Sequence, residues 1–480
     1  MALPISSFRD LPQMFANSTI EILELAMYHQ GLVRTGSYEQ DGTYHLRSDL
    51  GGAPAFHEGV ESVHTMGRKV MLYVASISTR KDSDLFNGTR LEDWLMLERP
   101  GHMYDIGYPN GVSMCFGYKP WQDHLAEVCR RLLRETGVDG IRLDEFGTPA
   151  VACFNPVHHH ASPFDGIQWG LEFLRRVRAA MDEVNPGAVL MTEGSCDFMH
   201  QHSDAGGLQM YFPGRDIEAI RLAMPTFRGP SYSQGAVETA LNGWVGSTAS
   251  ACRTGTFPGY GQWYPAKPAN YPENGGPALR WQEVRSMFHE AIVRGTPTDV
   301  DPLAPHDPQW VGRLWRAPSY WLMVGGHLDA SALSAPREIQ LPGLPETVRC
   351  AYEFNLQTLQ VEETQLRRDG TGVFVTVTHG FGAVLLPTPN CPAMVMVDAS
   401  LPTVTVGGET QMVLQLFSPW RNCSQARVKV EAAGLQVTPC ELTLPGIIKL
   451  KATVGTRPGM YALKVAGETL PLKRWFRVKD

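Results

Sequence analysis

Between residues 20 and 300, short apolar runs alternate with amphipathic stretches, and this alternation restricts the fold more than any other feature. "KVMLYVAS" (69–76) is nearly continuous in apolar residues, as expected of a parallel strand covered on both faces. "WQDHLAEVCRRLLRETG" (121–137) places Leu125, Val128, Cys129, Leu132 and Leu133 at helical spacing, and Gly137 closes it. "GIRLD" (140–144) follows at once as another buried strand. In residues 166–187, Ile167, Leu171, Leu174, Val177, Met181 and Val184 form a second helical stripe, broken by Asn185-Pro186-Gly187. "AVLMTEG" (188–194) and "GLQMYF" (207–212) read as the next strands. Upstream, "IEILELAMYHQ" (20–30) reads as the first strand. "FHEGVESVHTMG" (56–67) reads as a short helix with Val60, Val63 and His64 on one face.

Strands alternating with helices build a parallel sheet, either closed or doubly wound. Acids end two successive strands, and no glycine-rich phosphate turn follows any strand, so a closed barrel is favoured. The predicted fold is α/β: a (β/α)8 TIM barrel over residues 1–305, followed by two all-β domains. The texture changes after about residue 305. "RLWRAPSYWLMVGG", "RCAYEFNLQ" and "GVFVTVTHGFGAVLLPTP" alternate and carry turn signals, which predicts a β-sandwich over 306–388. "PTPNCPA" (387–393) reads as a linker. Segments such as "ARVKVEAAGLQVTP" and "GMYALKVAGETLPLKRWFRV" predict an immunoglobulin-like sandwich over 389–480.

Composition excludes some partners. Net charge is −7 and no Lys/Arg-rich block occurs, which argues against nucleic acid and anionic membrane surfaces. No apolar run approaches the roughly 20 residues of a membrane span. The opening "MALPISSFRDLPQMFANS" has Arg9 and Asp10 where a signal peptide needs an apolar core, so a cytoplasmic location is expected. A first strand that begins only near residue 20 fits a chain shortened from a longer relative with a leading β-domain. The nine cysteines contain no CxxC pair, which favours reduced thiols, with a Cys423–Cys440 bridge as the one disulfide to consider.

In a (β/α)8 barrel the C-terminal strand ends meet at one face, where catalytic groups sit. Asp144 and Glu193 occupy such positions on successive strands, so two carboxylates should face one cleft. Glycoside hydrolysis needs that pair: one acid protonates the leaving oxygen, and the other attacks the anomeric carbon or activates water. Arg142 lies two residues before Asp144, on the same side of the strand, and would hold it ionised. Glu193, between Thr192 and Gly194, has no sequence-adjacent cation, which suits the acid. Glu145 should point away from Asp144 and bond loop backbone or a supporting partner, with a lesser claim to substrate. His29 ends the first strand and is a further candidate contact. Trp121, Trp244, Trp263, Tyr260 and Tyr264 could stack on sugar faces, and Arg253 and Arg294 could reach hydroxyls or a carboxylate. Core packing and surface ion pairs are the bland readings of the same side chains.

"DGIRLDEFG" resembles the fourth-strand motif of the alpha-amylase clan, in which an arginine stands two residues before the nucleophilic aspartate. "LMTEG" is similar to that clan's next strand, which carries the acid glutamate. A wider resemblance, over roughly residues 20–300, is to an uncharacterised family of glycosidase-like barrel proteins known only as a domain of unknown function. It rests on "VSMCFGYKPWQDHL", the "GIRLD" strand, the "CFNPVHHH" loop and the "TEG" strand end. The resemblance implies nucleophile for Asp144 and acid/base for Glu193. The chain departs from the amylase pattern in having "DEFGTP" where a lysine-histidine pair follows the aspartate, and in lacking a clear histidine-aspartate strand end. What carries over is the chemistry rather than alpha-amylase specificity.

The loop "CFNPVHHHASPFDG" (153–166) follows the Asp144 strand. Three consecutive histidines rarely point at one ion, and a barrel metallohydrolase wants an H-x-H at an early strand end, where this chain has only "YHQ". No metal site and no cofactor are therefore expected, and His158 and His160 are read as sugar contacts or loop packing. The expected function is a glycosidase acting on a carbohydrate substrate. The rivals are a non-catalytic carbohydrate-binding barrel and a metal-dependent hydrolase built on the His158–His160 loop, for which stoichiometric zinc would speak.

Overall fold

Five strands pair in parallel and in chain order: β1 (Ile22–Leu25), β2 (Lys69–Ala75), β3 (Gly140–Asp144), β4 (Val189–Thr192) and β5 (Ala205–Gly206). This computed structural model describes residues 5–15, 21–31, 40–105, 107, 110–146, 152–194, 199–206, 230–233, 257–260, 283–297, 310–327, 336–341, 343–355, 360–378, 381–397, 403–420 and 423–480. The strand order runs without reversal. A doubly wound sheet reverses its order at a switch point, so this sheet is singly wound across its described strands.

Helices connect the strands: α1 (Gly52–Thr65), α2 (Lys119–Thr136) and α3 (Gly166–Asp182). The apolar stripe of α2 buries Trp121, Leu125, Val128, Cys129, Leu132 and Leu133. It ends because Gly137 takes a left-handed conformation (φ 69°) and returns its N–H to the Leu133 carbonyl, as C-terminal caps do. The stripe of α3 buries Phe173, Leu174, Val177, Ala180 and Met181, whereas Ile167 at its start is 51% exposed. Strand β3 is buried along its whole length, and Gly140 is required at its first position. A Cβ there would lie 2.4 Å from the Val189 carbonyl oxygen, so only glycine lets β3 and β4 pair this closely.

The first strand is shorter than its apolar run implies. It stops at Leu25, and the chain then turns so that His29 makes a single antiparallel bridge to Leu46. "GLQMYF" lies outside the described residues, and β5 precedes it.

Two compact units divide the chain, residues 1–14, 20–212 and 219–229 against residues 15–19, 213–218 and 230–480. The parallel sheet belongs to the first. In the second, a six-stranded antiparallel sheet begins with Thr296–Pro297 and runs through Trp310–Arg316, Tyr320–His327, Phe381–Pro387, Ala351–Asn355 and Val361–Thr364. A three-stranded sheet containing Arg337–Gln340 and Gly372–Val377 shares a core with it, built from Leu314, Met323, Ile339, Val375 and Val384. From Met394 onward the strands form a four-stranded and a five-stranded sheet. Alternating burial along Ala426–Ala432 shows a sheet with one packed face. Cys423 and Cys440 are both free thiols, so the considered bridge is absent. Among the described residues, no helix is long and apolar enough to cross a membrane.

Candidate active site

Strand β3 ends in charge because its last side chains converge on Arg142. The guanidinium holds Asp144 Oδ1 at 2.5 Å, Glu24 Oε1 at 2.9 Å and Glu193 Oε1 at 4.0 Å. Three strands therefore deliver three carboxylates to one cation: Glu24 from β1, Asp144 from β3 and Glu193 from the residue after β4. Asp144 is nearly buried, while about a quarter of the Glu193 side chain reaches solvent. Three acids thus gather around one guanidinium.

Neighbours orient the aspartate further. Tyr73, on β2, donates its hydroxyl to Asp144 Oδ2 at 2.5 Å. Burial, followed by the charges of Asp144 and Glu145, pushes the Tyr73 phenol well above its ordinary pKa, so it remains a donor. Its ring also lies 5.6 Å from the Arg142 guanidinium carbon, within cation–π range. The Asp144 carbonyl accepts from the Ser76 backbone N–H and hydroxyl, at 3.0 and 2.7 Å.

Glu145 does not continue the strand. Its φ of +60° is left-handed, uncommon for a residue with a side chain and frequent at functional sites. This turn aims the Glu145 N–H at Glu193 Oε2, 2.7 Å away. The Glu145 carboxylate itself accepts from the Ser78 N–H at 2.9 Å and the Ser78 hydroxyl at 2.7 Å. Its pKa is pushed up to about 7, first by burial and then by the charges of Asp144 and Glu193, against the Ser78 hydrogen bonds. Glu145 thus joins the strand end to Ser78 and positions Glu193 through its backbone.

Several candidates sit elsewhere. His29 is fully buried, with its ring 5.0 Å from Tyr44 and 5.3 Å from Tyr28, so it packs inside the protein and does not face a substrate. Trp121 is also fully buried and donates its indole N–H to the Ser76 carbonyl at 3.0 Å, so its faces are not open to a sugar. Helical periodicity placed it on the inner side of α2, and that periodicity outweighs its aromatic character. His158 and His160 turn toward two cysteines, Cys115 and Cys153. The four ligand atoms lie within 4.8 Å of one another, a grouping that could hold a metal ion and that the expectation for this loop did not foresee. Trp244, Arg253, Trp263 and Tyr264 lie outside the described residues, and only the backbone is described at Tyr260 and Arg294.

Sequence reading overlooked Glu24, Tyr73 and Ser78. The second acid of "IEILEL" and the lone tyrosine of "KVMLYVAS" are faint signals, because each merely interrupts an apolar run.

Residues 48–205 match a family model described as "Domain of unknown function (DUF6259)". Among curated proteins, none matches the chain. Solved structures are similar at low identity. A noncanonic maltogenic alpha-amylase, AmyB, from Thermotoga neapolitana aligns with a TM-score of 0.54 and 14% identity, over 80% of this chain and 96% of that one. An alpha-amylase from Geobacillus thermoleovorans aligns at 0.52 and 12%, over 79% and 91%. The GH36 alpha-galactosidase AgaA from Geobacillus stearothermophilus aligns at 0.51 and 12%, over 79% of this chain and 52% of that one. At such identity the likeness is one of fold: a mixed α/β chain with C-terminal β-structure, similar to glycoside hydrolases.

Proposed function

We propose that this chain, with its DUF6259 segment and glycoside hydrolase-like fold, cleaves a glycosidic bond with Asp144 and Glu193. The reading includes a closed (β/α)8 barrel over residues 1–305 and sandwich domains over 306–388 and 389–480. The observation that carries it is the shared guanidinium. Asp144 Oδ1 and Glu193 Oε1 lie 2.5 and 4.0 Å from the same Arg142 nitrogen. Those two oxygens are therefore separated by at most about 6.5 Å, which fits the retaining spacing of about 5–5.5 Å and touches the lower edge of the inverting range.

Asp144, oriented by Arg142 and Tyr73, is the group to attack the anomeric carbon. Glu193 gives its proton to the departing oxygen. Water then breaks the glycosyl ester, with Glu193 recovering the proton from that water. Glu193 Oε2 accepts the Glu145 N–H, which orients the carboxyl beside Asp144. Trp244 and Arg253 remain proposed substrate contacts.

The test is a screen of aryl glycosides and oligosaccharides against the purified protein, with Asp144→Asn and Glu193→Gln alongside. Hydrolysis that both substitutions abolish supports the assignment, and activity that survives both overturns it. The anomer first released, followed by NMR, separates retention from inversion.

A further inference from the structure

Cys115, Cys153, His158 and His160 bring four ligand atoms within 4.8 Å of one another. They come from two loops far apart in sequence. Cys115 follows the short strand Gly111–Ser113, and the other three lie in the loop between β3 and α3. His158 Nδ1 is 3.4 Å from Cys153 Sγ, and His160 Nε2 is 3.3 Å from Cys115 Sγ. In a tetrahedral zinc site with Zn–S near 2.3 Å and Zn–N near 2.1 Å, neighbouring sulfur and nitrogen ligands stand about 3.6 Å apart. The spacing therefore suits one ion held by all four.

An independent feature points the same way. His158 Nε2 lies 2.8 Å from the Asp93 carbonyl oxygen. A carbonyl only accepts, so Nε2 carries the hydrogen and the Nδ1 lone pair is left facing the sulfurs. Metal-bound histidines are oriented in this way. His160 is stacked on Trp169 at 3.9 Å between centroids. A Cβ on Gly117 would come within 2.5 Å of the His160 ring and 2.6 Å of Trp169, so this glycine is what allows the ring to reach its place. Cys115 and Cys153 are buried and free, within an apolar cluster that includes Ile77 and Met96.

We infer that Cys115, Cys153, His158 and His160 bind a zinc ion that clamps the histidine loop to the segment after Gly111–Ser113. Two thiolates with two imidazoles are a borderline-soft set that selects zinc over magnesium or calcium. Four protein ligands leave no open position for water, so the ion is structural and does not make the protein a metallohydrolase. The clamp has a mechanical target. Gly111–Ser113 pairs with Ser78–Arg80, and Ser78 holds the Glu145 carboxylate. Among the described residues between β3 and α3, the single turn Pro156–His158 is the regular element, and long loops of that kind need a tether.

The experiment is elemental analysis of the full chain purified under reducing conditions, then exchange with cobalt(II). The expected result is about one zinc per chain and, after exchange, the sulfur-to-cobalt charge-transfer and intense d–d bands of a tetrahedral thiolate site. The cobalt spectrum needs no variant, so it stands even where a substitution prevents folding. Cys153→Ser should weaken zinc more than about 100-fold in chelator competition, since outer-shell changes alone cost about 10–100-fold. His159→Ala, outside the ligand set, should retain the metal. Zinc absent after reconstitution, a Cys115–Cys153 disulfide under reducing purification, or undiminished zinc affinity in Cys153→Ser would each overturn the inference.

Discussion

An aspartate flanks each end of strand β3, and the two are held in opposite ways. Asp139, just before the strand, receives Lys69 Nζ at 2.5 Å, His64 Nε2 at 2.9 Å and the Val70 N–H at 2.9 Å. Every partner there is a donor. Asp144, at the other end, shares one arginine with Glu24 and Glu193 and has Glu145 as its neighbour. One end surrounds a single acid with donors, and the other gathers several acids around a shared arginine. In parallel α/β barrels the strand ends divide in the same sense, with stability at the N-terminal face and chemistry at the C-terminal face. The contrast teaches that an acid's role here follows from how many donors it shares, and with whom.

The comparison breaks most visibly in activity. Asp144→Asn should lower kcat on any glycoside the screen finds by about 10⁴-fold or more, the scale of losing one member of a catalytic set. Glu193→Gln should cost about 10²–10⁴-fold, and less on substrates with acidic leaving groups, which need little protonation. Equal losses on aryl and alkyl glycosides would contradict the acid role. Between the two ends stands Glu145. Its pKa, raised to about 7, means that the fold disfavours its charged form. Its contribution to stability is therefore greatest below its unfolded value near pH 4.3 and is lost as pH rises through about 7, by roughly 4 kcal/mol at most. Urea midpoints measured from pH 4.5 to 8 should decline in the parent and flatten in Glu145→Gln.

The smallest effect belongs to Asp139. Burial pushes its carboxyl up, but hydrogen bonds from Lys69, Val70 and His64 outweigh this and hold it below the ordinary carboxylate value. It therefore stabilises the fold above its unfolded value near pH 3.9, and that contribution fades as pH falls through the folded value. Asp139→Asn should cost about 1–3 kcal/mol at pH 7, show a shrinking difference in acid, and leave kcat unchanged. A large loss of kcat without loss of stability would erase the distinction between the two ends.

Much of the frame was legible because it depends on local periodicity. "KVMLYVAS" becomes Lys69–Ala75, "WQDHLAEVCRRLLRETG" becomes Lys119–Thr136, and "GIRLD" becomes Gly140–Asp144. Arg142 beside Asp144 was legible too, since residues two apart on a strand share a face. His29 and Trp121 were misread because a polar or aromatic residue near a strand end or helix start carries no record of which way it turns. Their environment is set by Tyr44, Tyr28 and Ser76, which come from other elements.

Sequence by itself determined the alternation of strands and helices, the charged end of β3 and the adjacency of Arg142 to Asp144, because these arise within a few residues of chain. Tertiary structure alone decided that Glu24, 118 residues from Arg142, shares its guanidinium, and that Cys115 meets His160 across 45 residues. It also decided that Glu145 turns left-handed and gives its N–H to Glu193. Such meetings depend on which loops the packed strands bring together, and loop closure over long separations costs only slightly more than over short ones. Sequence distance therefore carries almost no information about them, and packing does.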